Sequence, residues 1–388
     1  MKSNPNLELA KGIMLKFAGI TGLEPVNKKP KRYLWTDAFA VCNYLELFKQ
    51  TSDKFYIDLA LRLIGQVHHT LGKHRDDDPR KGWISGLGED EGALHPTRGG
   101  LRIGKEQNER KPYEPFDERL EWEQDGQYYH YLTKWMHALN RASEITGDLT
   151  FNDWALELAE AAHTGFVYPA GKGKIMYWKM SIDLTYPLVR SMGQHDPLDG
   201  FVTYSELQET SRDFGKSSTP GLSKEIADMA ILLSGQSLAT NDPLGIGGLL
   251  WDASRIAQLM LRGELEYGDL LETVLASAIL GIDFLTKNDP FDISADYRLA
   301  FRELGISIGL EGMEKLLEWI NQNPDLFNKN EVLLKSVEKL VDYMPLAKQI
   351  EEFWINDKNR KSRTWIEHRE INMVMLATSL IPGSFLLI

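Results

Sequence analysis

The sequence predicts an all-α fold, an (α/α)6 toroid of helical hairpins in one domain over residues 1–388. Three observations predict it. Helical periodicity recurs along the whole chain, and strand signals are scarce. The helices alternate between two classes, one apolar nearly all round and the other amphipathic and rich in Lys and Glu. A helix that is apolar all round has to be covered on every side, so six of the first class stand inside a ring of the second. Finally, Thr51-Ser-Asp53-x-x-Tyr56-x-Asp58-x-Ala60-Leu61-x-Leu63 matches Thr146-Gly-Asp148-x-x-Phe151-x-Asp153-x-Ala155-Leu156-x-Leu158 without gaps. Both copies fall on the short turn between one helix and the next, as a repeated supersecondary unit requires.

Residues 6–19 carry an apolar stripe of Leu7, Leu9, Ala10, Ile13, Met14 and Phe17, ended by Gly19 and Gly22. A basic loop containing NKKPKR (27–32) leads to a helix over 35–49, capped by Thr36 or Asp37. TSD turns the chain into a helix over 54–72. Residues 73–124 then form a loop rich in Gly, Pro and charge, too long for ordinary connectivity and therefore an insertion with a function or without order. The next helix, 125–145, is the richest stretch. Tyr128, Leu132, Trp135, Leu139 and Ala142 make one face; His130, Lys134, His137 and Arg141 make another. TGDLT turns the chain into 151–166, and YPAGKGK (168–174) is a loop.

KMSIDLTYPLVRSM (179–192) has the apolar content of a third inner helix, kinked at Pro187. GQHDPLD (193–199) is a short turn before an amphipathic helix over 200–214. A Ser/Gly/Pro stretch at 215–223 precedes a helix near 224–234. Residues 249–263 are the fourth inner helix, with 267–286 as partner. Residues 297–310 are the fifth, paired with 312–321 and 331–354, and 364–381 is the sixth.

Loop lengths distinguish the two ends. Turns from an inner helix to the next outer one are short: 50–53, 146–150, 194–199 and 263–266. Turns back to an inner helix are long: 20–34, 73–124, 167–178, 235–247, 286–296 and 355–363. Long loops thus gather at the N-terminal ends of the inner helices, where free N–H groups are also available.

The alternation of helix classes over the whole chain resembles the six-hairpin glycosidase-like superfamily. That resemblance implies a cleft at the long-loop end and an enzyme acting on carbohydrate. No signature of a particular glycosidase family accompanies it.

Composition sets limits. Net charge is −12 and pI about 5.3, which disfavours nucleic acid as partner. No apolar run reaches the ~18 residues of a membrane span. MKSNPNLELAKG has no signal-peptide pattern, and the single Cys42 excludes an intrachain disulfide and a multi-cysteine metal site. A cytoplasmic setting, no metal and no organic cofactor are expected, with a small saccharide or oligosaccharide as partner. HRDDDP (74–79) reads as a solvated turn, and GxGG near 245–248 follows no strand, so neither points to a metal or a nucleotide.

Hydrolysis of a glycoside uses two carboxyl groups about 5–10 Å apart. The carboxylates expected at inner-helix starts are Asp37, Asp125, Asp183, Asp252 and Glu370, with Glu121 just before. Asp125 leads, because Trp122 and Tyr128 beside it can desolvate it; Asp183 and Asp252 are the choices for the second. Trp35, Trp122, Tyr128, Tyr129, Trp251 and Trp365 supply rings for sugar C–H faces, while Arg255 and Arg298 either pair with nearby acids or bind substrate. Three alternatives stay open. Relatives in this superfamily that epimerise sugars use histidines, and His130 and His368 stand near inner-helix starts, with His95 on the long loop. A polysaccharide lyase would use Tyr129 with Arg255 or Arg298. A non-catalytic carbohydrate-binding protein would keep the fold without converging carboxylates.

Overall fold

In a computed structural model, which describes residues 4–171, 173–215, 221–263, 267–287, 291–327 and 330–388, the helical periodicity becomes a run of α-helices joined by loops and a few short strands. The expected turns at 168–174, 215–223, 263–266 and 286–296 each include residues outside this set. Contacts divide the chain into two compact units, Ala18–Gln236 and Met1–Phe17 with Ser237–Ile388. Helix α1 (Pro5–Thr21) runs from one into the other.

The Ala18–Gln236 unit opens with α2 (Leu34–Thr51) and α3 (Lys54–Leu71). The insertion 73–124 carries α4 (Glu89–Leu94) and α5 (Glu118–Glu123). Then come β1 (Gln127–Tyr128), α6 (Tyr129–Thr146), α7 (Thr150–Phe166), β2 (Val167–Ala170), β3 (Gly173–Met176), β4 (Lys179–Met180), β5 (Pro187–Val189), α8 (Asp196–Asp213) and α9 (Ser223–Leu233). Helices α2, α6 and α8 are buried along most of their length, whereas α3, α7 and α9 bury one face. Helix α2 packs on α3 and α6, α6 on α7 and α8, and α8 on α9.

The repeat is a capping device used twice. Ser52 (φ 58°) and Gly147 (φ 74°) end α2 and α6 in the left-handed region. Thr51 Oγ1 and Thr146 Oγ1 each donate to the carbonyl four residues back, at 2.6 Å, and accept from the N–H of Asp53 and Asp148 at 3.2 Å. The two aspartates in turn accept N–H bonds from Phe55 and Thr150, at 3.0 and 2.9 Å. The Thr-x-Asp spacing therefore helps specify the hairpin through side chain to backbone bonds, beside the backbone bonds that close each left-handed cap.

Residues 179–192 are not the third inner helix. They form β4 and β5, which with β1 make an antiparallel sheet in the order β1-β4-β5. Pro187 lacks an N–H, Leu184 takes φ 60° in the turn, and Ile, Thr, Tyr and Val favour the extended chain. The third inner helix is α8, which starts at Asp196 inside the segment expected to be a turn, with Pro197 in its first turn. Buried acids gave it the look of an amphipathic outer helix. Helix α6 likewise begins at Tyr129, four residues later than expected, with Glu121 in the separate α5.

The insertion is ordered by arginines. Arg80 bridges Asp78 at 2.8 Å, Glu109 at 2.5 Å and Asp183 at 2.8 Å, tying two parts of the loop to the β4–β5 turn.

In the second unit, α10 (Pro243–Leu261) and α12 (Ala300–Gln322) make the tightest helix pair, with α11 (Gly268–Lys287), α13 (Glu331–Val341) and α14 (Met344–Ile355) against them. The expected break between 310 and 312 is absent, and 331–354 is two helices. The chain ends in α15 (Arg363–Glu367), α16 (Arg369–Leu380) and α17 (Gly383–Leu386). GxGG is the crossing point of α10 on α12. A Cβ on Gly247 would lie 2.3 Å from the Gly305 carbonyl oxygen. Gly247→Ala is expected to destabilise this unit by about 1–3 kcal/mol, or to splay the pair. An unchanged urea midpoint would contradict that packing. Among the described residues no helix is long and apolar enough to cross a membrane.

Candidate functional site

The polar face of α6 finds its partners on α8. Lys134 Nζ lies 2.5 Å from Asp199 Oδ1, and Thr133 Oγ1 donates to Asp199 Oδ2 at 2.6 Å. One step along, His137 Nδ1 lies 2.8 Å from Glu206 Oε1, which also accepts from Asn140 at 2.9 Å. These rungs are closed: buried charges meet partners at hydrogen-bond distance, as burial demands. The first rung is different. His130 Nδ1 stands 3.8 Å from Asp196 Oδ1, beyond hydrogen-bond reach, and Asp196 Oδ2 is buried with no hydrogen-bond partner.

Both groups of the open rung are neutral near pH 7. Burial, helped by the neighbouring Asp199 carboxylate and opposed by Lys134, pushes the Asp196 carboxyl up to about 8. Burial pulls His130 down to about 4, with Asp199 opposing. The contact is therefore a proton donor facing a free imidazole, not an ion pair. Gly193 is needed beside it, because a Cβ there would lie 2.4 Å from Asp196 Oδ2.

Aromatic rings wall this rung. His130 stacks on Tyr128 at 5.4 Å and Trp178 at 6.1 Å between centroids, and meets Trp35 and Tyr131 edge-on at 5.9 and 4.8 Å. Trp35 Nε1 is buried without a hydrogen-bond partner. Tyr131 and Tyr33 share a 2.7 Å hydroxyl bond behind them. The His130 side chain remains 27% exposed, whereas Asp196, Trp35 and Tyr128 are buried behind it. Two polar atoms without hydrogen-bond partners and stacked rings around His130 suit a polar ring-shaped ligand.

Of the residues expected at the site in this unit, Trp35, Tyr128 and His130 come together here, and half-exposed Trp122 extends the wall through Trp178 at 5.3 Å. Asp125 does not fit the acid/base role expected of it. It is fully buried and accepts from Arg102 at 2.6 Å, Arg75 at 3.4 Å and the Gly104 N–H at 3.0 Å, so it is the anchor of the insertion. Asp183 lies in the β4–β5 turn on Arg80; burial raises its pKa, but bonds from Thr185 and Ser181 outweigh this and hold it low. Asp37 caps α2 through the Tyr33 N–H at 2.9 Å and pairs with Arg32 at 3.3 Å; burial, against those two contacts, pushes it up to about 6. Tyr129 is core: its hydroxyl donates to Tyr204 at 2.8 Å. His95 pairs with Glu157 at 2.5 Å on α7.

In the other unit, Arg298 holds Glu303 at 2.7 Å and lies 3.7 Å from the Phe353 ring, a structural pair. Trp251 Nε1 donates to the Gly305 carbonyl at 3.2 Å, and Trp365 stacks on Trp354 at 5.6 Å. Asp252 and Arg255 face each other at 3.3 Å on α10. His368 is exposed beside Phe301, and Glu370 is half-buried in the first turn of α16.

Sequence reasoning missed Asp196, Asp199, Lys134 and Trp178 as site residues. One signal pointed to the first two: Asp-Pro at the head of an acidic, apolar run is a helix start. Among the described residues no three metal-ligating side chains gather.

No protein-family model matches the chain, and no curated protein matches its sequence. Solved structures do. An α-1,6-mannanase (GH76A) of Salegentibacter sp. is 13% identical over 97% of this chain and 98% of its own, with a TM-score of 0.52. A GH76 α-mannanase of Bacteroides thetaiotaomicron is 12% identical over 99% and 97%, with 0.53. A D-mannose isomerase is 12% identical over 98% and 99%, with 0.52. These share an all-α (α/α)6 fold, and that is the fold class of this chain.

Proposed function

We propose that the chain is a carbohydrate-active enzyme working by acid/base catalysis, with glycoside hydrolysis the best-supported reaction. One observation carries this: at the first rung between α6 and α8 the Asp196 carboxyl stands beyond hydrogen-bond reach of His130, whose ring is walled by aromatic side chains. Asp196 gives its proton to the leaving glycosidic oxygen. Asp199, one helical turn on and held by Lys134 and Thr133, is the second carboxylate of this reading, which requires substrate to displace one of those contacts. Its spacing puts the two side chains on one face of α8, with Cβ atoms about 5–6 Å apart. Trp35, Tyr128 and Trp178 hold the sugar. The two mannanases among the neighbours make α-linked mannose the first substrate class to try.

A second reading, sugar isomerisation or epimerisation, has its own support. His130 stays unprotonated across the neutral range and can take a proton next to a carbonyl, while Asp196 protonates the carbonyl oxygen. The D-mannose isomerase among the neighbours has the same fold. The buried lone Cys42 supports a cytoplasmic setting for either enzyme.

The test is a panel in heavy water: α-1,6-linked manno-oligosaccharides, aryl α-mannosides, D-mannose and cellobiose. New reducing ends without deuterium at C2 are expected. Deuterium at C2 without cleavage, lost in His130→Asn, would move the assignment to the second reading. Inertness toward all of them would leave a binding protein.

A further inference from the structure

The β1-β4-β5 sheet that carries Tyr128 at one edge borders a cavity of about 420 Å³ at the other. That size lies within the about 300–1,000 Å³ of small-ligand sites. The insertion supplies Arg110 and Phe116, and the segment around β5 supplies Tyr186, Pro187 and Arg190. Phe116 is 58% exposed, an aromatic ring that the insertion presents rather than buries. Arg110 lies 5.8 Å from that ring and is fixed by Glu121 at 2.9 Å and the Leu188 carbonyl at 2.7 Å. Glu121 is shared with Lys179, at 2.8 Å, so two cations divide one carboxylate. Arg190, at the rim, has no hydrogen bond or ion pair among the described residues. The cavity therefore combines a ring-stacking wall with net positive charge. It takes a ring that carries an acid group.

The cavity and the proposed active site lie at opposite edges of one sheet. Two strand spacings, roughly 10 Å, separate β5 from β1. Lys179 Nζ, which shares Glu121 with Arg110, lies 5.3 Å from the Tyr128 ring. We infer that this cavity is a remote subsite for a uronate unit of an oligosaccharide whose reacting end lies at Asp196. The inference rests on the carbohydrate reading above. Arg190 accepts the carboxylate through charge-assisted hydrogen bonds, and Phe116 and Pro187 cover the sugar's C–H face.

The experiment measures binding without turnover, by calorimetry and saturation-transfer NMR on the full chain. The probes are methyl α-D-glucuronide and methyl α-D-glucoside. The uronide is expected to bind about tenfold more tightly than the neutral glycoside. Arg190→Ala should bring the two to parity with an unchanged thermal midpoint, Phe116→Ala should weaken both, and Asp196→Asn should change neither. Equal binding by the wild type, a uronide preference that survives Arg190→Ala, or loss of binding in Asp196→Asn would each overturn the subsite. Normal turnover by Asp196→Asn with these binding results intact would instead overturn the catalytic reading and leave the subsite standing.

Discussion

Asp196→Asn is expected to lose activity and gain stability. The asparagine cannot donate the proton, so kcat should fall by about 10²–10⁴-fold. Stability moves the other way, and the sign follows from linkage. The folded-state pKa, about 8, is raised above the ordinary carboxyl value of 3.8. A raised carboxyl contributes its full stability below the unfolded value and loses it as pH climbs toward the folded value. At pH 7 the unfolded chain releases this proton and the folded chain keeps it. The wild type therefore carries a penalty on the order of a few kcal/mol there. The asparagine removes it, and the melting midpoint at pH 7–8 should rise by several degrees, with little gain near pH 4. A variant that is dead and less stable at both pH values would show that Asp196 is an ordinary structural acid.

Asp125→Asn should do the opposite. The carboxylate holds Arg102, whose side chain is 8% exposed, and touches Arg75 and the Gly104 N–H. Removing one partner of a buried pair leaves the other charged and unpaired, which costs about 3–5 kcal/mol. The insertion 73–124 should come loose, seen as faster proteolysis after Arg and Lys between 98 and 111. Any activity lost should return in proportion to the folded fraction. Full stability with abolished turnover would restore Asp125 to the chemistry.

These two aspartates show where the sequence was legible. Asp125 was singled out because Trp122 and Tyr128 adjoin it along the chain, yet its environment is set by Arg75 and Arg102, which come from far upstream. GQHDPLD reads as a short turn in sequence, although its proline is equally at home in a first helical turn. The same ambiguity misplaced 179–192. A short apolar run has no period long enough to separate a strand from a buried helix, and only pairing with Gln127–Tyr128 decided it. His130, Lys134 and His137 were visible as a stripe, but their acids lie more than sixty residues away on α8.

Local chemistry was sufficient for everything governed by neighbours in sequence. The helices follow from their own periodicity, and the Thr-x-Asp hairpins from bonds spanning four residues or fewer. A burial-driven proton affinity is not local. It depends on which carboxylate is shut away from water beside another carboxylate, and that is settled only when α6 and α8 pack. How those rungs close is a property of the folded pair, because charge compensation acts through space and not along the chain.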